Sequence, residues 1–157
     1  MIKIDDLTKS YGSKSVFNRL NMNIEKNKVT FLMGENGAGK TTLLKCLLKL
    51  EPFEGGILYD GEPLEAVRSK VHVIYDDSPF YDHLSGYQNI KLLINKPAGK
   101  EELEQLSQKF LGRELLKKKV KTYSYGQKKK LALMIAALNK PSFLFWMRYQ
   151  TGLTTGP

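Results

Sequence analysis

The chain has 157 residues, of which 41% are hydrophobic and 10% aromatic, enough apolar material for one ordinary core, which excludes a disordered tail and a multidomain machine. Lys and Arg number 25 against 16 Asp and Glu, and the formal charge of +9 favours anionic partners (phosphates, nucleic acid or an acidic membrane surface) without choosing among them. One cysteine, Cys46, excludes an internal disulfide and reads as a small buried apolar residue; with no basic-then-apolar leader, a reducing cytosolic setting is expected, and no apolar stretch approaches the roughly 18 residues needed to cross a bilayer.

Strands dominate the first third. Residues 2–7 alternate, residues 20–24 alternate again, and the polar turn Lys26-Asn27-Lys28 leads into the apolar run 29–33, which is expected to form a buried strand. A glycine-rich loop follows, and then residues 41–50 carry Leu43, Leu44, Leu47, Leu48 and Leu50 at helical spacing up to Pro52 and the Gly55-Gly56 turn. Residues 57–59 read as a short strand, a short helix lies near Leu64, and residues 71–75 form a second buried strand. From 85 to 119 the pattern is helical, with core stripes marked by Ile90, Leu92, Leu93, Leu103, Leu106 and Phe110. A helix over about 127–138 runs into Pro141 and a last apolar strand at 143–146. Strands alternating with helices imply a mostly parallel sheet with helices packed against it.

The segment Gly34-Glu35-Asn36-Gly37-Ala38-Gly39-Lys40-Thr41 matches G-x-x-x-x-G-K-[ST] and lies between an expected strand and an expected helix, the context the motif requires. Gly34, Gly37 and Gly39 allow the backbone to curl so that the amides of the loop, those of Asn36 and Ala38 among them, point into one concavity at a helix N-terminus. A polyphosphate fits such a concavity. Lys40 is expected to reach the β- and γ-phosphates of ATP, the Thr41 hydroxyl to ligate Mg²⁺, and Thr42 to make a further phosphate contact.

Two more segments extend the pattern: Thr8-Lys9-Ser10-Tyr11-Gly12 before the loop, and Tyr123-Ser124-Tyr125-Gly126-Gln127 well after it. With the phosphate loop they resemble, over nearly the whole chain, the nucleotide-binding domain of ABC transporters. The resemblance implies an α/β P-loop NTPase, an ABC-type ATPase core with a small antiparallel β subdomain and a helical subdomain inserted at about 85–122. It implies that Tyr11 stacks on adenine. It also implies that Ser124, Gly126 and Gln127, in the place of an L-S-G-G-Q signature, cap the γ-phosphate of ATP held by the other subunit of a head-to-tail dimer, with Tyr125 replacing the first glycine. Asp76, followed by Asp77, lines up with the family's glutamine; a carboxylate can ligate Mg²⁺ and act in catalysis beside Lys40, but when ionised it cannot donate a hydrogen bond. Phe80, Tyr81 and Leu84 are the expected contacts with a transmembrane permease subunit.

The family's next motif is an apolar strand ending in Asp-Glu, and here Met147-Arg148-Tyr149-Gln150 follows instead. Gly152-Leu153-Thr154 stands in place of G-L-D, and His72 and His83 lie too early to be the family's switch histidine. Reading the codons of residues 145–154 from the last base of the Phe145 codon, with AGR taken for Arg148 and TTR for Leu153, gives Leu-Asp-Glu and then Ile or Val, Pro or Ser, Asn or Asp, and Gly where the free base is G; only the Leu and Asp follow without a codon choice. The expectation is therefore a frameshifted, non-native tail over 146–157, with the C-terminal part of the core missing, an exposed apolar edge and marginal stability. ATP would still bind, while hydrolysis would fall by roughly a hundredfold or more.

The function these readings imply is that of the ATP-binding subunit of an ABC transporter, an exporter by its compact helical segment, binding MgATP, paired with a permease and peripheral on the inner face of the cell membrane, with no nucleic-acid partner. One alternative is a non-transport ABC ATPase acting on nucleic acid or ribosomes through Lys117-Lys118-Lys119, Lys121 and Lys128-Lys129-Lys130. The other is a passive nucleotide-binding remnant.

Overall fold

The computed structural model describes residues 1–77 and 79–147. The sequence expectations for 148–157, including Gly152-Leu153-Thr154, lie outside the described residues. The coordinates divide into two units, Met1–Arg68 and Ser69–Pro157.

In the first unit β1 (Ile2–Tyr11) is the central strand of an antiparallel sheet, flanked by β2 (Lys14–Ile24) and β3 (Glu54–Tyr59) in the order β2-β1-β3. Alternation along β1 first buries the even residues Ile2 and Ile4, then the odd residues Leu7 and Lys9. The switch falls at an irregularity in both strand pairings, where Asp6 takes a φ of +49°. An extra residue in a strand reverses which side chains face inward. Gly55 faces this bulge at a φ of +98°, and a Cβ there would stand 2.5 Å from the Asp6 carbonyl oxygen, so only glycine lets β3 pass. Asn21 closes the same bulge, accepting from the Asp6 amide at 2.9 Å and donating to its carboxylate at 3.1 Å.

Helix α1 (Lys40–Leu47) buries Leu43, Cys46 and Leu47, and the Tyr59 hydroxyl donates to the Leu47 carbonyl at 2.6 Å, tying β3 to the end of α1. Its leucine spacing suggests a longer helix, but the chain leaves helical geometry at Leu48 and turns left-handed at Lys49. A four-residue α2 (Leu64–Val67) covers the sheet with Leu64 and Val67.

The run 29–33 does not form the expected buried strand. It pairs with no strand among the described residues, and Val29, Phe31 and Met33 are 80%, 80% and 86% exposed. Apolar composition supplies only propensity; a strand exists when a neighbour accepts its hydrogen bonds, and none does so here among the described residues.

The second unit pairs β4 (Val71–Tyr75) in parallel with β5 (Phe143–Met147), in register from Val71 against Phe143 to Tyr75 against Met147. The expectation of a mostly parallel sheet is met by this pair alone among the described strands, since the three strands of the first unit are antiparallel. Between β4 and β5 run α3 (Gly86–Leu93), α4 (Lys100–Phe110), α5 (Arg113–Lys117) and α6 (Tyr125–Asn139). Ile90, Leu116, Val120, Tyr123, Leu131, Met134 and Ile135 form the helical core, and Ile74, Ala132 and Ala136 join α6 to β4. Burial pushes the Tyr123 hydroxyl up to about 12 while it donates to the Leu115 carbonyl at 2.6 Å. No helix among the described residues is long and apolar enough to cross a membrane.

Candidate nucleotide site

The phosphate loop lies wholly in the first unit. Gly37 and Gly39 hold φ of +87° and +88°, a left-handed conformation that costs an L side chain roughly 1–2 kcal/mol. Gly39 is constrained twice, because a Cβ on it would meet Val16 Cγ1 at 2.8 Å and Phe17 Cζ at 2.9 Å. It is the N-cap of α1, and its carbonyl accepts from the Leu43 amide at 2.8 Å. The amides of Lys40, Thr41 and Thr42 precede that bond, so helix geometry gives them no intrahelical acceptor, and the first turn holds no carboxylate to compete for them.

Lys40 reaches back across the loop, its Nζ donating to the carbonyls of Gly34 and Glu35 at 2.7 Å each. The Ala38 amide closes the turn on the Glu35 carbonyl at 3.2 Å, with Asn36 and Gly37 between them. Neutral carbonyls are weaker acceptors for an ammonium than phosphate oxygens, and residues 34–38 are exposed, so an arriving anion can take over the lysine without stranding a buried charge. Thr41 is exposed and Thr42 half-buried at the start of the helix. These groups fit a magnesium-bound polyphosphate: amides and one ammonium for the phosphate oxygens, and a hydroxyl of the kind that Mg²⁺ accepts as a ligand. Tyr11 ends β1 and is 44% exposed.

In the second unit the segment resembling a signature opens α6. Ser124 is the N-cap: its hydroxyl oxygen accepts from the Gln127 amide at 3.3 Å, and the Gln127 side chain accepts from the Ser124 amide at 2.8 Å. This capping box leaves the serine O–H proton and the glutamine NH₂ free of the cap, so holding the helix and donating to an outside oxygen are compatible. Gly126 has no left-handed φ, and a Cβ on it would meet nothing within 4 Å. The fold of this chain does not itself require glycine there. Gln127 also lines a shallow basic depression with Leu115, Lys117, Lys118, Lys119 and Thr122.

Asp76 follows β4, and its carboxylate accepts from Lys129 Nζ at 2.8 Å and from the Tyr125 hydroxyl at 3.2 Å. Lys129 also donates to the Tyr75 and Asp76 carbonyls and lies 5.0 Å from the centre of the Tyr125 ring. No group of three or more metal-binding side chains occurs among the described residues. In the sequence Lys129 enters only as a phosphate contact of the nucleic-acid alternative; its pairing with Asp76 is signalled by nothing more than its place four residues after Tyr125, one helical turn along the same face. Of the expected permease contacts, Tyr81 is exposed, whereas Phe80 packs against the helical core and the Leu84 carbonyl accepts from the Val120 amide at 2.9 Å. Asn89, also unnoticed in the sequence, is fully buried and fixes this loop, accepting from the Tyr81 amide at 2.8 Å and donating to the Tyr81 and Ser85 carbonyls.

A glycine loop capping a helix beside an antiparallel sheet, with a second unit of helices around a parallel strand pair, defines a P-loop nucleotide-binding protein. The ABC transporter family profile matches residues 17–146. The chain is 37% identical over 98% of its length to the lantibiotic transport ATP-binding protein SrtF of Streptococcus pyogenes, of which the match covers 68%. It is 35% identical over 92% of its length to the bacitracin transport ATP-binding protein BcrA of Enterococcus faecalis, of which 49% is covered. Among solved structures, a Clostridium perfringens protein that is part of the ABC transporter complex cbiONQ superposes with a TM-score of 0.78 at 23% identity, over 92% of this chain and 64% of that one, a likeness of fold. The chain belongs to the ABC transporter family, among its ATP-binding proteins. It spans about half to two thirds of the length of these relatives.

Proposed function

We propose that this chain binds MgATP at residues 34–42 as the ATP-binding part of an ABC exporter, with Tyr11 under the adenine. The observation that carries the reading is the Lys40 ammonium held across a left-handed glycine loop at the N-terminus of α1. On binding, Lys40 exchanges two carbonyls for phosphate oxygens, the first-turn amides of α1 donate to the same group, and the Thr41 hydroxyl offers a metal ligand. Mg²⁺, held in part by the Thr41 hydroxyl, would offset the negative charge of the phosphates.

A second copy or a related subunit presents Ser124, Gly126 and Gln127 to the γ-phosphate in head-to-tail pairing. The unneeded glycine at 126 supports this, since it leaves the start of α6 open to close approach from outside the chain. Residues 85–122 act as the inserted helical subdomain, and the exposed Tyr81 loop meets a transmembrane permease, which places the protein on the inner face of the membrane. Asp76, engaged by Lys129 and Tyr125, acts on α6 rather than on Mg²⁺. With Met147, the last residue of β5, and Arg148 in place of Asp-Glu, hydrolysis is slow. A nucleic-acid role is weakened by the commitments of its lysines: Lys128 pairs with Asp82 at 2.9 Å, Lys129 with Asp76 and Lys117 with Glu114.

The test is titration of the chain with a fluorescent ATP analogue in magnesium buffer. Saturable binding that Lys40→Ala abolishes is expected; equal affinity in the variant would refute the assignment. The lantibiotic and bacitracin relatives name the cargo to try first in a reconstituted complex.

A further inference from the structure

Lys9 is the one charged side chain buried among the described residues, at 6% exposure. An ammonium is costly to bury unless it is paired and hydrogen-bonded. Its Nζ donates to the Pro52 carbonyl at 2.8 Å, approaches Glu51 at 3.4 Å and stands 4.5 Å from the centre of the Tyr11 ring. Glu51 is also met by Lys45 at 3.1 Å, and that hydrogen bond is the largest cause holding its carboxyl below the usual glutamate range. Neutralising Glu51 therefore does not require Lys9. The bulge at Asp6, with Gly55 making room for it, turns Lys9 inward, and Tyr11, two residues on, lies on the same side of β1.

We propose that Lys9 is a positioning residue that fixes Tyr11 as a platform for a purine base, so that the site reads the base as well as the phosphates; this rests on the nucleotide-binding reading above. The ammonium stands over one face of the ring, and Tyr11 as a residue remains 44% exposed. Through Glu51 and Lys45, which lies in the last turn of α1, the same cation links the platform to the helix that carries the phosphate loop. A ring held from one side loses little freedom when a base stacks on it, and a cation on the far face draws electron density from the ring toward itself. The ligand class this selects is a purine nucleoside triphosphate over a bare polyphosphate.

The experiment is calorimetric titration of the full chain and its variants with magnesium ATP and with magnesium tripolyphosphate. The wild type should prefer ATP. Lys9→Met should lower ATP affinity about tenfold while tripolyphosphate binding stays unchanged, which also certifies a folded loop. Lys9→Arg should restore most of the preference, and Lys9→Met should add nothing to Tyr11→Ala. Unchanged ATP affinity in Lys9→Met, an equal loss for both ligands, or additive losses with Tyr11→Ala would each overturn the proposal. Lys40→Ala binding both ligands like the wild type, or a wild type binding neither, would instead remove the nucleotide reading itself and this proposal with it.

Discussion

The phenol of Tyr125 donates to Oδ1 of Asp76 at 3.2 Å, joining residues 49 apart in the chain. Both stand where the family resemblance leads one to expect something else, a glycine at 125 and a glutamine at 76. Lys129 completes the cluster, pairing with Asp76 at 2.8 Å where both side chains are only 14% exposed.

Two unusual residues that meet each other should be coupled energetically. Lys129→Met removes the cation that pairs with Asp76 at 2.8 Å and should cost about 2–3 kcal/mol in urea unfolding. Tyr125→Phe, whose ring is largely exposed, should cost about 0.5 kcal/mol. In Asp76→Asn the tyrosine substitution should cost less than it does in the wild type. Additive losses would mean that the contact is geometric only.

Glycines 39 and 126 should respond oppositely to alanine. Gly39→Ala forces a side chain into a left-handed backbone and against Val16 and Phe17, so the melting temperature should drop by the equivalent of about 2–3 kcal/mol and nucleotide binding should go with it. Gly126→Ala sits in the first turn of α6 with open space around it and should leave stability unchanged or raise it by up to about 1 kcal/mol, while any ATP-dependent self-association is lost. Destabilisation by Gly126→Ala would show that the glycine serves the fold of this chain after all.

His72 on β4 should make stability depend on pH. Burial holds its imidazole below the ordinary value of 6.5, so the unfolded chain takes up a proton before the folded one does. The stabilisation is complete above 6.5 and is lost as pH falls through the lower folded value. The melting temperature should therefore decline below pH 6.5, less steeply in His72→Gln. Identical slopes would mean that the ring adjusts when it is protonated; its Nδ1 lies 3.4 Å from the Asn139 side-chain amide.

The phosphate loop was legible because its requirements are local: left-handed φ at fixed positions, a helix beginning at Lys40 and a hydroxyl one residue on. Helices α3 and α4 were legible from their apolar stripes, although Leu92, expected in the core, is 58% exposed, and the two capping boxes, Ser85 with Gln88 and Ser124 with Gln127, are spacings readable in the chain. Lys9 was not legible, because period-two alternation from Ile2 points it outward and only the bulge at Asp6 reverses it. That bulge depends on a glycine arriving from β3, nearly fifty residues away.

Sequence alone determined the glycine-loop motif at the start of α1 and the family, since both reside in short runs whose backbone conformation follows from their own residues. Tertiary structure alone decided that residues 29–33 pair with no strand among the described residues, that Asp76 answers to Lys129 and Tyr125, and that a lysine lies buried against the Tyr11 ring. Those outcomes turn on which distant backbone supplies a hydrogen-bond partner and which distant charge is close enough to offset desolvation, and neither is encoded within a window of neighbouring residues.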